Sequence, residues 1–145
     1  MTAPILGIDI AKLKFNACLI QPSGKFKHKV FTNNATGFEQ LKGWLSKFGV
    51  ERVHACLEAT GTYGESLSLF LHQAGHTVSV VNPAAVKAFA ASRLSRTKTD
   101  RVDAELIARF CLAQAPPAWT PLPQEVRELQ ALVRRLESLV EMRVM

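Results

Sequence analysis

The first third of the chain contains three short runs in which apolar and β-branched residues predominate. Residues 5–10 (ILGIDI) form the first run and have the length and composition of a buried strand. Residues 13–20 and 25–31 form the next two, and a Gln-Pro-Ser-Gly turn separates them. We therefore expect a hairpin from the second and third strands, with the first strand antiparallel to the second.

Apolar residues then recur every three or four positions, which is the spacing of a helix that packs against a sheet. The pattern predicts helices at residues 36–48, 62–74 and 84–91, and strands at residues 52–58 and 76–81. Asn82 followed by Pro83 is a favourable start for the third of these helices.

This element order predicts an α/β fold of the ribonuclease H-like (RuvC-like) type. Three meandering strands are followed by alternating helices and strands, which implies a mixed five-stranded sheet with helices on both faces. A right-handed crossover through the first helix places the fourth strand parallel to the first, at the centre of the sheet.

The rest of the chain is predicted to be helical. A helix from about Asp100 to Gln114 follows a basic segment, and a proline-rich segment ends it. From Gln124 onward, apolar residues alternate three and four apart, as in a coiled-coil seam. The residues of this seam are Val126, Leu129, Val133, Leu136 and Val140. Because the pattern is still running at the last residue, we expect the natural protein to continue beyond it.

Three segments follow from this interpretation. We expect a ribonuclease H-like domain at residues 1–115, a proline-rich linker at 116–123, and the start of a helical, coiled-coil region at 124–145. The helical region is expected to make the protein a homo-oligomer.

Composition narrows the function classes. Of the 145 residues, 48% are hydrophobic and 21% are charged, as in an ordinary globular domain. No apolar run reaches the roughly 18 residues of a membrane span, and no signal peptide is visible, so we expect a cytoplasmic protein without membrane contact.

Three scattered cysteines are expected to be buried, and ungrouped histidines argue against a zinc site. A net charge of +6 weakly favours an anionic partner.

Two carboxylates interrupt predicted strands. Asp9 lies in the first strand and Glu58 ends the fourth. Ligands collect at the carboxyl ends of parallel strands, so neighbouring first and fourth strands would place these side chains together. Two adjacent carboxylates repel each other unless a cation lies between them, which favours an oxygen-bound divalent metal. A hydrogen-bonded structural aspartate is the alternative for Asp9.

Asp100 and Asp103 are three residues apart, a spacing that puts both on one face of a helix. The ordinary explanation is a helix start, where acidic residues are favoured by the dipole. Together with the strand carboxylates, however, they predict a site for Mg²⁺ or Mn²⁺ of the kind that supports phosphoryl transfer.

Basic residues surround these acids. Arg93, Arg96, Lys98 and Arg101 flank the two helical aspartates, and Lys12 follows the first strand. We predict that they contact a nucleic-acid backbone, although a solvated loop would have the same composition. Another basic cluster comprises Lys25, Lys27, His28 and Lys29.

The segments GIDIAK, LEATGTYG and TKTDRVDAELIARF resemble the N-terminal half of the IS110 family of insertion-sequence transposases, which includes the Piv-type DNA invertases. The resemblance covers nearly the whole chain. It implies a RuvC-like domain with a DEDD tetrad, here Asp9, Glu58, Asp100 and Asp103. It also implies a coiled-coil region, a further domain with a nucleophilic serine, DNA as the substrate, and a guide RNA.

Transposition or DNA recombination is thus the expected function, with strand cleavage and exchange dependent on Mg²⁺. Three alternatives stay open. A RuvC-like nuclease would cut branched DNA alone, and a truncated copy would only dimerise and bind RNA or DNA. An actin-like sugar kinase also opens with a segment such as GIDIAK, but it requires glycine-rich phosphate loops that the sequence lacks.

Overall fold

The computed structural model describes residues 3–59, 61–92 and 103–144, with no side-chain description for the last three of these. Within these ranges the chain forms five strands and five helices. The strands are β1 (Ile5–Ile10), β2 (Lys14–Ile20), β3 (Phe26–Thr32), β4 (His54–Glu58) and β5 (Thr77–Val81). The helices are α1 (Ala35–Lys47), α2 (Glu65–Gln73), α3 (Pro83–Ala91), α4 (Ala104–Gln114) and α5 (Gln124–Val144).

The strands form one mixed sheet in the order β3-β2-β1-β4-β5. β1 is antiparallel to β2 and parallel to β4, and β2 and β3 form the predicted antiparallel hairpin. The predicted α/β class, the five strands and the central position of the first strand are therefore confirmed.

Helices cover both faces of the sheet, as the alternation of side chains along each strand requires. Leu6 and Ile8 of β1 point to the face covered by α1 and α2, where they join a core with Leu41 and Leu67. We call this the α1–α2 face. The opposite face, the α3–α4 face, buries a second core that includes Val86 of α3. Its other members include Ile5, Cys18, Cys56, Ile107 and Phe110.

Helix α4 lies directly on β1 because Gly7 leaves room for it. A methyl group added at Gly7 would overlap the backbone carbonyl of Ala104 and the backbone amide of Ala108. This close approach fixes the beginning of α4 above the centre of the sheet, so the residue that precedes the helix is held beside β1 and β2.

Two predicted helix starts differ from the structure by more than one residue. α2 begins at Glu65, because residues 61–64 form a turn that includes Gly61 at a positive φ of 60°. α4 begins at Ala104, because the side chain of Asp103 accepts a hydrogen bond from the backbone N–H of Leu106 and caps the helix. Asp103 therefore precedes the helix, and the prediction that it lies within the first turn is wrong.

Residues 115–119 run along the outer edge of β5. The hydroxyl of Ser79 donates to the carbonyl of Pro117 at 2.8 Å, and the backbone N–H of Trp119 donates to the carbonyl of Val78 at 2.6 Å. This segment therefore closes one edge of the sheet before the chain enters α5.

Helix α5 has 21 residues, and its described side chains are exposed apart from a half-buried Arg127. It approaches the rest of the molecule through Arg134, which forms an ion pair of 3.1 Å with Glu65 at the start of α2. No helix within the described ranges is both long enough and apolar enough to cross a membrane.

Candidate carboxylate site

The register of two parallel strands places Asp9 and Glu58 next to each other. Ile8 of β1 pairs with Leu57 of β4, and each carboxylate follows its member of that pair. Gly7 and Cys56 point to the α3–α4 face, so alternation directs Asp9 and Glu58 to this face as well. Both residues are half-buried at the end of the second core.

The charge of Asp9 affects Glu58 directly. The pKa of the Glu58 carboxyl is raised above its ordinary value, first because burial disfavours the charged form and then because the Asp9 carboxylate is close. Lys87 of α3 acts in the opposite direction and lowers this pKa. The site thus brings together two like charges, which a bound cation would stabilise.

Asp103 lies on the other side of Asp9, towards β2. Its charge contributes, after burial and the charge of Glu105, to a pKa of about 12 for the buried thiol of Cys18 on β2. Asn16, which pairs with Asp9 in the sheet, lines a hollow together with Asp103. Glu58, Asp9 and Asp103 therefore follow one another across β4, β1 and β2 on the α3–α4 face.

These three carboxylates do not form a closed metal cage. Within residues 3–59, 61–92 and 103–144, no three side chains of His, Cys, Asp or Glu are grouped closely enough to hold a metal ion. The exposed Asp103 also accepts the capping hydrogen bond from Leu106 at 2.9 Å. The pair of Asp9 and Glu58 is the part of the predicted tetrad that the structure brings together.

The remaining predicted site residues lie mostly outside the described residues. These are Asp100, Arg93, Arg96, Lys98 and Arg101. Lys12 is described, and it lies exposed in the bend between β1 and β2, directly after the strand that carries Asp9.

Asn33, which no sequence pattern singled out, has a side-chain amide that joins the loops following the two carboxylate strands. It donates to the carbonyl of Ala11 after β1 and to the carbonyl of Tyr63 after β4, both at 3.0 Å. The neighbouring Asn34 caps α1 through a hydrogen bond from Gly37 at 2.8 Å. Two consecutive asparagines after a strand signal a turn, but nothing in their spacing indicated a link between distant loops.

The donor set suits a hard divalent cation. Paired carboxylate oxygens are the ligands that Mg²⁺ and Mn²⁺ prefer, and the cationic Lys87 nearby offsets part of their negative charge. The three described cysteines are buried and free, as predicted, and Cys56 and Cys18 belong to the second core. The residues present therefore fit an oxygen-bound metal at Asp9 and Glu58.

Comparison with a solved structure of known fold supports the topology. The chain is similar to the RuvC structure of Thermus thermophilus, with a TM-score of 0.51 and 14% identity over 79% of this chain and 98% of that chain. At this identity the similarity concerns the fold, and it confirms the RuvC-like, ribonuclease H-like architecture.

Sequence comparison identifies closer relatives. The chain is 40% identical over 139 residues to the pilin gene-inverting protein of Moraxella bovis and 39% identical to that of Moraxella lacunata. The matches cover 94% of this chain but 43% of each relative, so the chain spans less than half their length. The model of a transposase family, the DEDD transposases of the IS110 type, matches residues 6–145. The chain therefore belongs to the IS110 family of DEDD transposases.

Proposed function

We propose that this chain is the metal-binding part of a DNA recombinase that moves or inverts DNA segments, with Asp9 and Glu58 as its central ligands. One observation carries the proposal: two carboxylates at the ends of adjacent parallel strands are close enough for one to raise the pKa of the other. Maintaining that repulsion is unfavourable unless the pair binds a cation.

Asp100 and Asp103 complete the proposed site. Asp103 lies before α4, on the same face of the sheet as the strand pair, and Asp100 precedes it by three residues. A shift of the Asp103 side chain away from the Leu106 amide would free its oxygens for a second metal. The capping hydrogen bond is worth about 1 kcal/mol, which metal coordination readily offsets.

Mg²⁺ or Mn²⁺, when bound, supplies charge neutralisation at the reacting phosphate and activation of an attacking hydroxyl. The protein's own contribution is positional. The strand register holds Asp9 and Glu58 together, Asn33 joins the two following loops, and Lys87 limits the net negative charge. Lys12, Arg93, Arg96, Lys98 and Arg101 are proposed to bind the nucleic-acid backbone around the site.

DNA is the proposed substrate, because the relatives are named for the inversion of a pilin gene and the family is one of transposases. We further propose that a guide RNA directs the protein and that the reaction takes place in the cytoplasm. A nucleophilic serine in a region beyond the matched 43% of the relatives would complete the site.

We propose residues 1–115 as the catalytic domain, 116–123 as its linker and 124–145 as the beginning of an oligomerisation helix. In α5 the predicted seam is exposed, with Leu129 at 59%, Leu136 at 53% and Val140 at 59%. An exposed stripe of this length is stabilised when a second helix covers it, as in a coiled coil.

The proposal is tested by DNA rearrangement in cells that carry the gene encoding this chain. Asp9→Asn and Glu58→Gln preserve the size of each side chain and remove its charge, so we expect rearrangement to fall at least about 100-fold for each. Glu51→Gln is the matched control, because Glu51 is an exposed carboxylate just before β4, at the opposite end of that strand from Glu58.

Equal loss in the Glu51 control, or normal rearrangement in the Asp9 and Glu58 variants, would contradict the proposed roles. A separate assay of purified chain on branched DNA with Mg²⁺ distinguishes the alternative of a nuclease that acts alone. Cleavage there, abolished by Asp9→Asn, would favour the nuclease.

A further inference from the structure

The two edges of the sheet differ in what covers them. At the β5 edge, the backbone N–H of Trp119 donates to the carbonyl of Val78, so the linker occupies that edge. At the opposite edge lies β3, and in the part of the chain that the structure describes no segment pairs with its outer side. β3 is therefore the edge that remains open to a partner.

Alternate residues of β3 carry positive charges on the α1–α2 face. The ammonium of Lys27 lies 5.9 Å from the ring centroid of Phe48, and that of Lys29 lies 5.7 Å from the ring centroid of Phe31. Both ammonium groups thus lie over an aromatic ring, and both lysines are exposed to water. Lys25 extends the row by one more alternate position. We call Lys25, Lys27 and Lys29 the lysine row.

No described carboxylate neutralises the lysine row. The ion pairs found among the described residues involve His28 with Glu105, Arg109 with Glu105, and Arg134 with Glu65. His28 points to the α3–α4 face, away from the row, so Glu105 offsets charge on the other side of the strand. Three uncompensated positive charges in a line along an open edge match a partner with regularly spaced negative charges.

The lysine row lies on the face of the sheet opposite Asp103, but the two approach each other at the open β3 edge. Lys29 and Asp103 line the same hollow of about 460 Å³, together with Asn16, the residue paired with Asp9. A polyanion bound along the row would therefore reach the Asp103 side of the site by passing around the open edge of β3.

We propose that the lysine row is a binding surface for the phosphate backbone of duplex DNA and that the bound duplex passes around the open edge of β3 towards the carboxylate site. The inference rests on the proposed function, in which DNA is the substrate, and adds a contact surface on β3. A protein strand added to this edge would gain main-chain hydrogen bonds but would leave the lysines without partners, whereas DNA phosphates pair with them.

Lysines on edge strands also prevent unwanted strand pairing. That role requires a charge at the edge but requires neither DNA binding nor a salt dependence of affinity. The two explanations therefore make different predictions for the same substitutions.

The experiment measures binding of the chain to a fluorescent 30-base-pair DNA duplex at several salt concentrations. EDTA is present, so that binding is measured without metal and without cleavage. Lys27→Gln/Lys29→Gln is compared with Lys42→Gln/Arg135→Gln, and each double variant removes two of the six net positive charges. Lys42 lines a hollow with Ala74 and His76 on the far side of α1 from β3, and Arg135 is exposed on α5. Thermal melts check that all variants fold.

We expect the β3 variant to bind DNA about 10-fold more weakly at 0.1 M salt and to lower the slope of log affinity against log salt by about 2. The control variant Lys42→Gln/Arg135→Gln should keep most of the wild-type affinity and most of the wild-type salt slope. Three results would overturn the proposal. The two double variants could lose DNA affinity equally, the β3 variant could bind DNA as tightly as the wild type, or the wild-type chain could show no salt-dependent binding. A β3 variant that loses affinity for an RNA hairpin but not for duplex DNA would also overturn it. An Asp9→Asn chain with normal binding would show that the result is independent of the metal site.

Discussion

Helices α4 and α5 carry similar apolar patterns, yet they have opposite surroundings. In α4 the stripe is buried against the sheet, with Ile107 fully inaccessible and Leu106 5% exposed. In α5 the stripe is in water, with Val133 at 44% and Leu136 at 53% exposed. Helical periodicity therefore predicts an apolar face in both cases but does not identify what covers it.

The difference arises from the surface that each helix meets. α4 lies over Gly7 of the central strand, where the missing side chain admits the helix backbone. α5 contacts the domain through Arg134 and Glu65 near its middle and otherwise exposes its apolar residues. Helix α4 is part of the domain core, whereas the exposed apolar stripe of α5 is proposed to be covered by another chain.

The largest expected effect concerns the contact between α4 and the sheet. Gly7→Val would place a branched side chain where the backbone of Ala104 and Ala108 now lies. Neither backbone segment can move without separating α4 from β1, so we expect a loss of at least about 4 kcal/mol in unfolding free energy. Urea denaturation measures this, and a stability within about 1 kcal/mol of the wild type would contradict the described packing.

Truncating one apolar side chain in each helix compares the two directly. Ile107→Ala removes a fully buried side chain and should cost about 3 kcal/mol, since a cavity remains in the second core. Leu136→Ala removes a half-exposed side chain and should change the stability of a dilute monomer by less than about 0.5 kcal/mol. If Ile107→Ala and Leu136→Ala lowered the unfolding free energy of dilute samples by similar amounts, the distinction between α4 and α5 would be wrong.

Oligomerisation gives the α5 stripe a measurable role. We expect the wild-type chain to associate as its concentration rises, because pairing covers Leu129, Val133 and Leu136. Leu129→Asp/Leu136→Asp should weaken association at least about 100-fold, since it places charges in the seam. Sedimentation equilibrium measures the association, and a wild type that stays monomeric at high concentration would contradict it. Arg135→Gln serves as the control.

The smallest expected effect comes from Glu58. Its pKa in the folded state is raised above the ordinary 4.5, so the folded state binds this proton more tightly than the unfolded state. The unfavourable contribution is absent below the ordinary pKa and grows as pH rises through the raised pKa. Without metal, Glu58→Gln should therefore raise the melting temperature by about 1 to 3 °C near pH 7 and leave it unchanged near pH 3.5. If Glu58→Gln had a lower melting temperature than the wild type near pH 7, this expectation would be wrong.

Much of the fold was predictable because local patterns and strand connectivity restrict the topology. The hairpin, the parallel pair of β1 and β4, and the resulting proximity of Asp9 and Glu58 follow from element order. The start of α3 at Pro83 was also predictable from neighbouring residues, since the side chain of Asn82 accepts a hydrogen bond from the backbone N–H of Ala84 at 2.8 Å and caps the helix.

Other features depend on tertiary packing and were not predictable. The spacing of Asp103 fitted both a helical turn and a cap, and the geometry at Leu106 decided for the cap. The effect of Lys87 on Glu58 depends on how α3 docks on the sheet, and the bridge from Asn33 depends on two loops meeting. Such residues have no periodicity or motif of their own that would identify them.

Calorimetric titration of Mn²⁺ into the chain in the presence of duplex DNA tests the central claim most directly. The account predicts that the wild-type chain binds Mn²⁺ and that Asp9→Asn/Glu58→Gln weakens this binding at least about 100-fold, while Glu51→Gln has no effect. The same affinity in the double variant as in the wild type would show that Asp9 and Glu58 are not the metal ligands.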